Sequence, residues 1–237
     1  MINDMKRFFI FIALVASTLM ASAVDLKSEG RDTAYVNTIL KRSQKAVDAL
    51  KLKDKSVAQN VLNIIANRYF ELNDIYDVRD KKLKAIKADT TMTAVQKAEG
   101  RRFAEFEASN ALYRTHFAFP AALSIYLNDA QIETVKDVIT FNVVNVTYKA
   151  TLDMIPSLKD EEKTQILVWL KEARELAIDA ESSKKKHEVF GKYKGRINNY
   201  LTARGYDLKK EREEWYKRIE ARKAKEQRVR RNNHFRF

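Results

Sequence analysis

The chain of 237 residues contains no cysteine, only two prolines, five glycines and three histidines. Without cysteine there is no disulfide scaffold, no thiol nucleophile and no cysteine-ligated zinc or iron–sulfur centre. So few prolines and glycines cannot furnish the turns of an all-β chain, nor a collagenous or low-complexity one. The histidines, His116, His187 and His234, stand far apart with no partner at zinc-ligand spacing. There is no glycine-rich phosphate loop and no nucleophile elbow. Metal, nucleotide and redox cofactors therefore have no support, and none is expected. Carboxylates are so abundant that spacing alone cannot single out a glycosidase pair.

What is present begins with an address. Lys6-Arg7 precedes an unbroken apolar run from Phe8 to Ala16, which tails off through Leu19-Met20 into Ala21-Ser22-Ala23. A basic flank, a short apolar stretch and a small-x-small exit are the parts of a secretory signal. The run is shorter than the roughly 20 residues that a membrane span needs. Residues 1–23 are therefore expected to be a cleaved signal peptide. The mature protein would be exported, periplasmic or secreted, with no membrane attachment after cleavage.

Beyond it, apolar residues recur at helical spacing. Val57, Val61, Ile64, Ile65, Tyr69, Leu72 and Ile75 form the strongest stripe, and Phe103, Phe106, Leu112 and Tyr113 lie in a third helix that ends before Pro120. Asp54, Asn128 and either Ser157 or Asp160 are placed to cap helices, Gly205 to close one and Asp207 to open the last. Only Phe141 to Thr147, β-branched, reads as extended, an ordered link between helices. The expected fold is all-α: a single bundle of seven or eight helices over residues 24–222, followed by a basic, flexible tail from 223 to 237. His116 reads as a helix-end residue.

The formal charge is +13, and Lys184 to Phe237 holds 19 basic against 7 acidic residues, nearly the whole excess. Nucleic acid is not the expected partner, because the chain carries an export signal, lacks a nucleic-acid-binding motif and mixes acids into its last helix. The densest chemistry lies from His187 to Tyr200, which packs basic residues, phenols, amides and two glycines together. Gly191 and Gly195, four apart, suggest a helix nested closely against this one. Lys192, Tyr193, Arg196 and Asn199, with Tyr148 and Lys149, are the candidate binding residues and are expected to border one concave surface. Arginine and lysine would grip carboxylates while phenols stack on sugar rings. His187, Lys192, Tyr193 and Arg196 are the candidates should the site be catalytic.

Three stretches, Val144 to Pro156, Glu172 to Asp179 and above all Lys186 to Trp215, resemble domain-of-unknown-function family 3826. The likeness covers roughly Thr33 to Arg222. It implies a helical, exported protein of polysaccharide-degrading bacteria that accompanies pectin-degrading enzymes, and it assigns no catalytic residue. The expected function is an accessory protein of plant-polysaccharide use that binds acidic polysaccharide or oligosaccharide, with glycan-degrading enzymes as further partners. An enzyme acting on uronic-acid-containing glycan (a lyase or a hydrolase) and a protein-interaction module remain alternatives. N-terminal peptide mapping of the protein recovered from its native host should find Val24 as the first residue. Recovery of peptides retaining the Phe8–Ala16 run would contradict the assignment.

Overall fold

A computed structural model describes residues 23–234, with side chains to 228. All but the last residue of the expected signal peptide lies outside the described residues. These form nine helices and no strand: α1 Thr33–Leu50, α2 Lys55–Ala88, α3 Ala94–His116, α4 Ala118–Ser124, α5 Asp129–Ile139, α6 Val143–Met154, α7 Asp160–Ala177, α8 Ser183–Ala203 and α9 Leu208–His234. No described helix is long and apolar enough to cross a membrane.

Local chemistry sets most boundaries. Asp54 accepts from the amides of Ser56 and Val57, and Asn128 forms a reciprocal capping box with Gln131. Neither Ser157 nor Asp160 is the N-cap of α7, a position held by Lys159. The Glu162 carboxylate instead accepts from the Lys159 amide at 2.9 Å, and Asp160, Glu161 and Glu162 fill the first turn, where the helix dipole favours them. Gly205, at φ +91°, closes α8 with bonds from its own amide to Thr202 O and from Tyr206 N to Leu201 O. Asp207 then accepts from Lys209 and Lys210. Pro120 would collide with the carbonyl of His116 if α3 continued, so α3 stops at His116 and α4 restarts two residues later.

The expected extended link is not there. Phe141 and Asn142 adopt left-handed conformations (φ 60° and 56°) that turn the chain sharply, and α6 starts at once. Val143 and Val144 are buried in the core, and that burial overrides their modest helix propensity. Residues 223–234, the described part of the expected tail, continue α9. The backbone stays helical through His234, in keeping with the strong helix preference of its Ala, Glu, Gln, Lys and Arg.

Two apolar centres organise the bundle. The first joins α1, α2, α4 and α5 through Ala46, Val61, Ile65, Leu123, Ile132 and Val135. The second joins α6, α7 and α8 through Val144, Ile166, Leu170, Phe190, Ile197 and Leu201. α3 lies along α2 on an alanine face, and Gly100 makes the close approach there, since a Cβ on it would meet Ile86 Cδ1 at 3.2 Å. Ion pairs join the two centres. The buried Arg174 of α7 donates to Asp137 and Glu133 of α5 at 2.7 and 2.6 Å, and Lys136 donates to Glu175 at 2.8 Å.

α9 starts against the second apolar centre at Leu208 and is fastened to α6 at Asp153. Asp153 of α6 accepts from Trp215 Nε1 at 2.6 Å and from both Arg222 Nη atoms at 3.0 and 2.6 Å, while Arg218 donates to the carbonyls of Asp153 and Met154. Hydrogen bonds from Arg222 and Trp215 hold the Asp153 carboxyl down to about 2. A carboxyl lowered on folding stabilises above its unfolded value, and that contribution disappears as pH falls through the folded one. In a Trp169→Phe background, Trp215 fluorescence should report release of α9 as pH drops through about 2. Asp153→Ala should release it at neutral pH, seen as faster proteolysis within α9. Unchanged protection in Asp153→Ala would contradict this anchor.

Candidate functional site

A cleft of about 780 Å³ opens between α3 on one side and the α7–α8 hairpin on the other, with Tyr76 and Arg79 of α2 behind it. Ending α3 at His116 puts that side chain in its lining, opposite Asp179 just beyond α7. His116 Nδ1 lies 2.7 Å from Asp179 Oδ2, and Arg68 Nη2 donates to Asp179 Oδ1 at 2.6 Å. Arg68 is 5% exposed and also donates to Thr115 Oγ1 at 2.8 Å, while the Tyr76 hydroxyl donates to the Asp179 carbonyl at 2.8 Å. Burial pushes the Tyr76 phenol up to about 12, so it keeps its proton and remains a donor.

The Asp179 carboxylate is thus shared between a fixed guanidinium and an imidazole. A carboxylate facing Nδ1 requires the proton on that nitrogen, which leaves Nε2 as the basic nitrogen for a ligand. The geometry suits proton transfer at His116 and suits hydrogen bonding equally. Beside it, Phe117 and Tyr113 are largely exposed, their rings meeting edge to face at 6.1 Å, with His116 against Phe117 at 4.8 Å. They offer an aromatic platform of the kind that packs on the apolar face of a sugar ring.

The lining carries five carboxylates (Glu105, Glu175, Asp179, Glu181 and Glu188) against Arg79, Lys185 and Lys192. Arg79 bonds Asp80 and Glu181, and Lys185 bonds Glu188. Among the described residues Lys192 is the lining cation without an ion-pair or hydrogen-bond partner. An anionic ligand would therefore have to bring its charge to the α8 rim.

Of the six residues expected to border one surface, Lys192 lines this cleft and the others do not. Tyr193 falls on the buried stripe of α8, where burial and a hydrogen bond to Glu172 push its phenol up to about 12. Arg196 lies over the Trp169 ring at 4.5 Å and 3.6 Å from Glu172. Asn199 is exposed on the flank of α8 that also carries Lys192 and Arg196. Tyr148 packs into the second apolar centre from α6, and Lys149 is exposed on that helix. His187 turns the other way and stacks on Phe141, ring centroids 5.2 Å apart.

Nor do Gly191 and Gly195 receive a neighbouring helix. A Cβ at either would meet nothing within 4 Å, so both lie on the open side of α8. Reading the sequence missed the pair of His116 and Asp179 because 63 residues separate them. The available signal was Pro120, which fixes where α3 must end, together with Asp179 at the close of the family-like Glu172 to Asp179 stretch.

Removing the shared carboxylate takes from the buried Arg68 one of its two anions, the other being Glu71 of its own helix, whereas removing the imidazole takes neither. Asp179→Ala should lower unfolding stability by about 2 kcal/mol in urea titrations, the cost of a lost hydrogen bond to a charged group, and His116→Ala by roughly 1 kcal/mol. Equal losses would contradict Arg68 as the partner that matters.

No curated protein matches the chain significantly. A family described as "Protein of unknown function (DUF3826)" matches residues 36–221, spanning α1 to α9 and both walls of the cleft, and the chain belongs to that family.

Proposed function

We propose that this is an exported accessory protein that binds acidic oligosaccharide in the cleft between α3 and α8. The observation that carries the reading is the combination of Tyr113 and Phe117, exposed side by side, with the unpartnered Lys192 across the cleft. A uronate ring can lie on the aromatic platform and direct its carboxylate to Lys192, while His116, Glu105 and Glu181 exchange hydrogen bonds with its hydroxyls. The five lining carboxylates count against a uniformly charged polyanion and favour a chain whose charges are spaced by sugar rings. Export is supported by the signal-like residues 1–23. Val24, the residue that cleavage would leave first, bonds through its N–H to Asn60 and through its carbonyl to Asn63. Association with pectin-degrading enzymes is part of the same proposal and rests on the resemblance alone.

A second reading, cleavage of such a glycan, is favoured by the Asp179–His116 pair. In an elimination, His116 Nε2 would take the proton alpha to the carboxylate, a carbon–carbon double bond would form as the beta carbon–oxygen bond breaks, and the departing glycosidic oxygen would take a proton from water, leaving an unsaturated uronate.

Calorimetric titration with oligogalacturonides should show binding that weakens with salt. Lys192→Ala and Phe117→Ala should each weaken it about tenfold, the effect of losing one charge-assisted contact or one stacking face. Arg196→Ala, already turned to Glu172, should change it little. No binding, or full affinity in Lys192→Ala, would overturn the site. Ultraviolet-absorbing unsaturated ends that vanish in His116→Ala would establish the second reading instead.

A further inference from the structure

A second cavity, about 650 Å³, lies behind the cleft, walled by α1, α2, the end of α5 and the first turn of α8. It contains a group that neither the fold nor the proposed glycan site explains. Lys186 is 4% exposed, and its ammonium has no carboxylate within ion-pairing distance among the described residues. Its bond is to the Ile178 carbonyl oxygen at 3.2 Å, and its Nζ stands 5.7 Å from the centre of the Tyr69 ring. Burying an amine without a counter-ion is costly, and a lysine in that position is a nucleophile held ready. Burial, with the nearby Arg68 and Arg42 guanidiniums, holds its pKa down to about 8 against the opposing pull of Asp179. An appreciable fraction is therefore free amine near neutrality.

The same cavity presents two further cations, Arg42 and Lys45, on successive turns of α1. Neither has an ion-pair or hydrogen-bond partner among the described residues. The acids in the lining, Asp77, Asp80 and Glu181, come from α2 and from the turn before α8. One wall thus offers an anchor for a carboxylate, and a buried amine lies within the same enclosure.

We propose that this cavity binds a small oxo acid, with Arg42 and Lys45 taking the carboxylate and Lys186 condensing with the carbonyl to form an imine. The amine nitrogen bonds to the carbonyl carbon, and the former carbonyl oxygen takes up protons and leaves as water. No oxidant or reductant is required, and hydrolysis returns the lysine. The volume accommodates a molecule as large as a monosaccharide acid. The inference does not depend on oligosaccharide binding in the neighbouring cleft.

The test is reductive trapping of the full chain with pyruvate and cyanoborohydride, followed by peptide mapping. The expected result is a reduced pyruvyl adduct on Lys186 in preference to every exposed lysine, abolished in Lys186→Arg. Arg42→Ala alters an exposed side chain and should cut trapping of pyruvate several-fold while leaving that of acetaldehyde unchanged. Adducts spread over surface lysines with Lys186 unmodified would overturn the imine. Equal pyruvate trapping by Arg42→Ala and the parent would overturn the carboxylate anchor.

Discussion

The structure turns on a carboxylate held in common. Asp179 sits where the second apolar centre meets the first, and its two oxygens are claimed by Arg68 of α2 and His116 of α3. Arg68 is buried and paired with Glu71 of its own helix, and docking of the α7–α8 hairpin where Asp179 reaches it supplies the second anion. Arg174 repeats the arrangement from the opposite direction, reaching Asp137 and Glu133 of α5. Apolar contacts make each half cohere, and these ion pairs fix how the halves face one another. The cleft is the space left between α3 and α8 once they are satisfied.

The basic character of the last quarter acquires a different meaning in this frame. Part of it is internal fastening: Arg218 and Arg222 hold α9 to α6, and Arg204 lies over Tyr200 while bonding Glu161. Arg196 and Trp169 continue the same alternation of cations and rings along the α7–α8 groove. Of the cations in this quarter Lys185 and Lys192 line the cleft, and Lys185 is paired with Glu188. Net charge alone does not distinguish the cations turned to such internal contacts from those left in solvent.

Features decided within a few residues were legible in the sequence. Asp54, Asn128 and Gly205 act where capping chemistry puts them, and the stripe from Val57 to Tyr69 supplies the α2 side of the first apolar centre. Features decided by distant partners were not. Val143 and Val144 are helical because the second centre buries them, although their β-branching argues otherwise. Gly191 suggested a close helix because glycine is needed at such approaches, yet the approach occurs at Gly100, against Ile86. His116 could be recognised as a helix end but not as half of a pair, because Asp179 enters from another hairpin. Lys186 stood in a run of three lysines, two exposed and one buried, and only the phase of α8 separates them.

Nitrogen-15 spectroscopy of the His116 imidazole, in the free protein and during addition of oligogalacturonide, tests the account most directly. A ring bound through Nδ1 to Asp179 and lining the ligand cleft predicts a proton fixed on Nδ1 and an Nε2 resonance that moves as sugar binds. A ring averaging between tautomers, or one indifferent to saturating ligand while signals elsewhere shift, would contradict it.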